Sequence, residues 1–132
     1  MAKIIQTKGK RKRAIARATL REGKGIIRIN GMLLDSIEPK LARLKMREPL
    51  LLADDIADKV DIDVNVYGGG IMSQADASRL AIGRSLVKNN KKLEKIFLDY
   101  DRQLVVADVR RKEPSKPNRH GKARAKRQKS YR

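Results

Sequence analysis

Polar and apolar residues alternate without a break over Asp61-Ile62-Asp63-Val64-Asn65-Val66-Tyr67, the period of a half-buried strand, and Gly68-Gly69-Gly70 ends it. A second alternation places Ala14, Ala16, Ala18 and Leu20 on one face and Arg17 and Arg21 on the other, which predicts a strand over 14–21. Glu22-Gly23-Lys24-Gly25 supplies turn chemistry before the apolar run from Ile26 to Asn30, so these two runs are expected to pair as a hairpin. Asn30-Gly31 marks the next turn, and Met32 to Ile37 adds a short further strand.

Helical spacing takes over after that. Pro39 suits a first helical position, and Leu41, Leu44 and Glu48 follow until Pro49, which predicts a short or kinked helix. From Ser73 to Val87 the small residues Ala75, Ala77, Ala81 and Gly83 let a helix lie close to a sheet, with Leu80 and Val87 as core anchors and Arg84 and Lys88 as an outward row. Asn89-Asn90 breaks the run. Leu93, Ile96, Phe97 and Tyr100 then mark the stripe of another amphipathic helix, and Leu104 to Ala107 reads as a last strand or extended segment. Beyond Asp108 the apolar pattern stops, and Pro114, Pro117, Gly121 and closely spaced cations leave nothing to offset chain entropy. The expected organisation is a globular domain over 1–108 and an extended basic tail over 109–132.

Length and composition narrow the function. A chain of 132 residues calls for one core, and no apolar stretch is long enough to span a bilayer. The start, Met1 to Gln6, has no apolar run followed by a cleavage site, and the absence of Cys leaves no disulfide framework or thiolate metal site, so a cytoplasmic location is expected. The net charge of +18 is concentrated at the ends: residues 1–28 hold ten basic and one acidic residue, residues 110–132 eleven and one, and the middle twelve and thirteen. A near-neutral domain with two cationic ends wants a polyanion. A membrane-surface helix would need an apolar face among its cations, and neither end has one.

The run Gly68-Gly69-Gly70-Ile71-Met72-Ser73-Gln74-Ala75-Asp76-Ala77-Ser78-Arg79-Leu80-Ala81-Ile82-Gly83-Arg84-Ser85-Leu86 resembles the signature of the small-subunit ribosomal protein nine (S-nine) family, in its three glycines, Ser73, Gln74, Ser78, Gly83 and Arg84. The basic start Gly9 to Ala14, the segment Tyr100-Asp101-Arg102 with Val105 to Asp108, and the ending Gln128-Lys129-Ser130-Tyr131-Arg132 are similar to the same family, so the resemblance spans the chain. That ending resembles the archaeal and eukaryotic cytosolic branch, whereas bacterial members usually end Ser-Lys-Arg, and an archaeal source is expected. The resemblance implies an α+β fold with a sheet of about four strands backed by helices, a left-handed βαβ crossover against the usual hand, and a long basic tail. It also implies a structural role in translation, with the domain on small-subunit rRNA in the head among neighbouring head proteins and the tail reaching peptidyl-site tRNA through Lys129 and Arg132.

Candidate rRNA contacts follow from charge and placement. Lys8, Lys10, Arg11, Lys12 and Arg13 form one group with Arg17, and Arg84 and Lys88 a second. In the tail, Arg110, Arg111, Lys112, Lys116, Arg119, Lys122, Arg124, Lys126 and Arg127 are placed to neutralise successive phosphates. Gly68, Gly69 and Gly70 form either a phosphate cradle at a helix start or a tight turn. No Lys follows them as a nucleotide-binding loop would require, so no nucleotide cofactor is expected. Asp54, Asp55, Asp58, Asp61 and Asp63 invite a metal-dependent nuclease reading, but exposed carboxylates on a sheet ordinarily face water or cations. His120 lies in the tail without a rigid neighbour to orient it, so no catalytic residue is assigned. With 3% aromatic residues, base stacking is not the main mode of recognition, and phosphate and shape contacts are. An architectural DNA-binding protein is the rival that charge alone allows; the sequence shows no recognition helix or zinc module for it.

Overall fold

The small residues of 71–89 and the alternating strands settle into a single arrangement, an α+β architecture in which a mixed five-stranded sheet carries three α-helices. The computed structural model describes residues 3–124. Its elements are β1 (Ile5–Arg11), β2 (Ala14–Glu22), β3 (Ile27–Ile29), β4 (Met32–Leu33), α1 (Lys40–Ala53), β5 (Val60–Tyr67), α2 (Ile71–Asn89) and α3 (Lys92–Tyr100), with sheet order β1-β2-β5-β3-β4. The expected four strands are thus five. The additional one, β1, was hidden because Lys8, Lys10 and Arg11 read as a basic arm, while Ile5 and Gly9 supply its buried positions.

The expected hairpin between 14–21 and 26–30 does not form. β2 pairs antiparallel with β1 on one side and β5 on the other, whereas β3 pairs parallel with β5, so β5 lies between the two runs. The reason is burial: β5 buries Val60, Ile62, Val64 and Val66 and gains neighbours on both edges, which a local hairpin would have denied it.

α2 is enclosed on nearly every side, with Ala75, Ala77 through Gly83, Ser85 and Leu86 all buried. One side lies on β1 and β2, and the other meets α1 and α3. Small side chains make this double contact possible: a Cβ at Gly83 would fall 2.4 Å from the Leu104 carbonyl oxygen. Arg79 is the exception in this helix. Its guanidinium, about one-tenth exposed, donates to Glu48 of α1 at 2.5 and 2.9 Å and to Asp101 beyond α3 at 2.9 Å, tying three elements with one cation.

Further expectations change as well. α1 continues through Pro49 to Ala53, because the ring is fully buried beside Met46 and Ala53 and that packing offsets the lost backbone bond. It buries Ala42, Met46, Pro49 and Ala53, while Leu41 and Leu44 are exposed. In α3, Leu93 and Phe97 are buried but Ile96 and Tyr100 face outward, and Leu104 to Ala107 forms no strand: Arg102–Leu104 is a 3₁₀ turn with Leu104 in the core. Met32 to Ile37 contributes only the two residues of β4 before the 3₁₀ turn Leu34–Ser36.

Candidate nucleic-acid interface

β5 delivers the chain to the start of α2 through a turn that only glycine makes easily. Gly68 and Gly69 have φ of +77° and +65°, and a Cβ on Gly68 would lie 2.6 Å from the Arg13 carbonyl oxygen. Backbone conformation by itself therefore calls for glycine at these two positions. Gly70 differs: it caps α2 with extended backbone, has open space where a Cβ would be, and offers no capping side chain to the first-turn N–H groups. The first turn also lacks an acidic residue, so the positive end of a 19-residue helix dipole is left without a neutralising group from its own helix.

Cations from both ends of the chain converge there. Lys12 and Arg13, in the β1–β2 turn, line a groove of about 910 Å³ together with Gly69, Gly70, Ser73, Arg110, Arg111 and Lys112. Asp108 fixes the meeting. Its carboxylate accepts from Arg11 at 2.5 Å and from Arg110 at 2.7 Å, and the Arg111 guanidinium donates to the Lys12 carbonyl. The Arg110 side chain and backbone N–H, with Arg11 behind them, hold the Asp108 carboxyl well below the usual carboxylate range. Arg11 also approaches Asp76 at 3.8 Å, so its charge is spent on holding the tail base to the domain.

A second basic surface lies on the sheet face opposite α2. Lys8 sits directly across from Arg17, and Arg17 from Asn65, and neither cation has an ion-pair partner among the described residues. Like charges placed opposite one another destabilise a sheet, which makes this a face that gains from an anion. Toward the other end β2, β3 and β5 balance their charge, with Arg21 across from Asp61 and Arg28 across from Asp63. The cationic character is thus graded along the sheet.

The family model described as "Ribosomal protein S9/S16" matches residues 9–132, which include the α2 groove, the glycine turn and, on the open sheet face, Lys10 and Arg17. The chain belongs to the ribosomal protein S9/S16 family. It is 51% identical over 133 residues to the small ribosomal subunit protein uS9 of Methanococcus maripaludis strain C7, covering 98% of this chain and 99% of that one. The protein of the same name from Methanococcus vannielii is 50% identical over the same span. An archaeal type agrees with these relatives, and so does a non-catalytic reading, since S9/S16 members are ribosomal proteins.

The sequence-predicted residues of this S9/S16 chain fall into distinct settings. Lys8, Lys10 and Arg17 are exposed on the open sheet face, and Lys12, Arg13, Arg110 and Lys112 on the groove at α2. Arg84 is half-buried and Lys88 exposed on the outward row expected for them. Arg84 donates to the carbonyls of Val105 and Lys8, both at 2.9 Å, and Lys88 reaches the Gln6 carbonyl at 3.5 Å, so both cover the exposed edge of β1. Lys116 and Arg124 pair with Glu113 at 3.3 and 2.9 Å, while Arg119, His120 and Lys122 are exposed. Lys126, Arg127, Lys129 and Arg132 lie outside the described residues. Asp61 is committed to structure: it accepts from the N–H groups of Ile26 and Lys24, both at 2.9 Å, and these bonds lower its pKa. Among the described residues no group of three or more Asp, Glu or His side chains is arranged so as to hold a metal ion. Sequence reasoning missed Arg79 and Asp108, which bind Asp101 and Arg11 at separations of 22 and 97 positions.

Proposed function

We propose that the chain is a structural constituent of the small ribosomal subunit in the cytoplasm. It holds small-subunit rRNA in the head by the α2 groove and the open sheet face, packs beside neighbouring head proteins, and sends its tail to peptidyl-site tRNA. The observation that carries this reading is the convergence of Lys12, Arg13 and Arg110 to Lys112 on the uncapped start of α2. Backbone N–H groups and cations in one groove suit a phosphate, whatever base it carries. The name of the Methanococcus relatives supports the assembly. The family resemblance supports the tail contact, through Lys129 and Arg132, and a left-handed sense for the crossover from β3 through α1 to β5.

The test is the salt dependence of binding to a head fragment of small-subunit rRNA. Each neutralised phosphate adds about 0.9 to the slope of log affinity against log salt. Replacing Lys12, Arg13 and Lys112 by Ala is expected to lower that slope by about 2–3 while the fold stays intact; an unchanged slope removes the groove from the interface. Truncation after Arg124 should leave assembly in place and weaken peptidyl-site tRNA binding. Loss of assembly would show that domain and tail do not act separately.

A further inference from the structure

Carboxylates cluster as sharply as the cations do. Residues 54–63 carry Asp54, Asp55, Asp58, Asp61 and Asp63 against a single Lys59, and they lead into β5 at the end remote from the glycine turn, about 23 Å away at strand rise. Asp61 is held by backbone N–H groups, and Asp63 stands opposite Arg28. Asp54 and Asp58 are different. Both are exposed, make no ion pair among the described residues, and rim a groove of about 480 Å³ between β3, β4 and the end of α1.

Apolar side chains line that groove without cover. Ile26 is 39% exposed, Leu33 51% and Leu51 74%, and the exposed Leu44 lies two turns before Leu51 on the side of α1 that carries Arg47. Three carboxylates, Asp35, Asp54 and Asp58, stand around it against one guanidinium, that of Arg47, which is already paired with Asp35. An apolar patch with a polar rim is the anatomy of a protein-binding surface. Nucleic acid is the wrong occupant: the rim repels phosphate, and no aromatic ring lines the groove to stack on a base.

We propose that this groove docks a basic extension of a neighbouring protein. A segment rich in Lys and Arg seats an apolar side chain between Leu33 and Leu51 and sets its cations against Asp54 and Asp58. The domain then divides its labour by charge, with RNA held at the end of β5 that leads into the glycine turn and a cationic protein segment at the other. Charge complementarity selects the partner, and the apolar floor supplies contact area that a polyamine or a free lysine could not use.

The experiment places the photo-reactive residue p-benzoylphenylalanine at Leu51, and separately at Leu33, in the full chain incorporated into small subunits. Irradiation and digestion are followed by mass spectrometry of the linked peptide. Incorporation reports on the ribosomal reading, and the linked product reports on the groove. Both probes are expected to reach the same Lys/Arg-rich protein segment. The yield should fall about fivefold when Asp54→Asn and Asp58→Asn are combined, the effect of losing two exposed charge pairs. Asn is chosen at both positions because it keeps the size and shape of Asp and removes only its charge. Linkage to rRNA, to a second copy of this chain or to an uncharged or acidic segment overturns the proposal, as does a yield indifferent to the Asn substitutions or no linkage in assembled subunits.

Discussion

Gly9→Ala is the sharpest test of how β1 and α2 fit together. Gly9 lies opposite Ala16 in the middle of β1, and a Cβ built there would stand 2.2 Å from the Ala77 carbonyl oxygen, 2.8 Å from the Ala81 nitrogen and 3.1 Å from the Leu80 Cβ. Two of these three obstacles are helix backbone, so no rotamer change relieves them, and α2 must lift from β1 by about 1 Å in an interior that has no slack. The movement strains other bonds on the same line: Thr7 Oγ1 to the Ala81 carbonyl at 2.8 Å and Arg84 to the Lys8 carbonyl at 2.9 Å. Overpacking costs about 1–3 kcal/mol, and backbone obstacles put this case at the upper end. At about 3–5 °C per kcal/mol for a domain of this size, the melting temperature should fall by about 10–15 °C. Circular dichroism melts of the full chain measure it, with Gly70→Ala as the control, since nothing lies within 4 Å of a Cβ there. A Gly9→Ala melting point within about 2 °C of the parent would refute the packing argument.

Arg79→Met keeps the bulk of the side chain but leaves Glu48 and Asp101 facing a lost cation. These carboxylates are 34% and 39% exposed, so the loss should be about 2–3 kcal/mol, below that of a fully buried pair, read from urea denaturation and partly recovered by adding Glu48→Gln and Asp101→Asn. Equal stability of Arg79→Met and parent would show the node to be idle. Asp61 has its pKa lowered by the N–H groups of Ile26 and Lys24, so its contribution is complete above the ordinary carboxylate value and disappears as pH falls through the lower folded-state value. Asp61→Asn should therefore be less stable than the parent at neutral pH, with the gap closing under acid. A gap that persists unchanged at low pH would place the effect elsewhere.

Local pattern alone was enough for several elements. The alternation of 61–67 produced β5, that of 14–21 produced β2, and the small residues of 73–87 produced a helix pressed against the sheet. It failed where a residue's role depends on remote neighbours. Lys8, Lys10 and Arg11 made β1 look like a solvated arm, because a strand with one cationic face carries little apolar signal, and its buried side is Ile5 and a glycine. Arg84 and Lys88 read as an outward row, and only the fold brings the edge of β1 beneath them. Pro49 marked a helix that is either short or kinked, and the helix is not short, since the buried ring finds a place when α1 meets the rest of the core.

The sequence by itself determined several strands and helices of this chain, its family and the excess of cations at its two ends, because those follow from short-range periodicity, a contiguous signature and the charge count. Tertiary structure decided that β5 would separate β2 from β3, that Arg11 would hold Asp108 rather than reach outward, and that cations about a hundred positions apart would share one groove. Each of these depends on which remote backbone lies within a few ångströms, and that is settled when the core closes around α2 rather than by any window of the sequence.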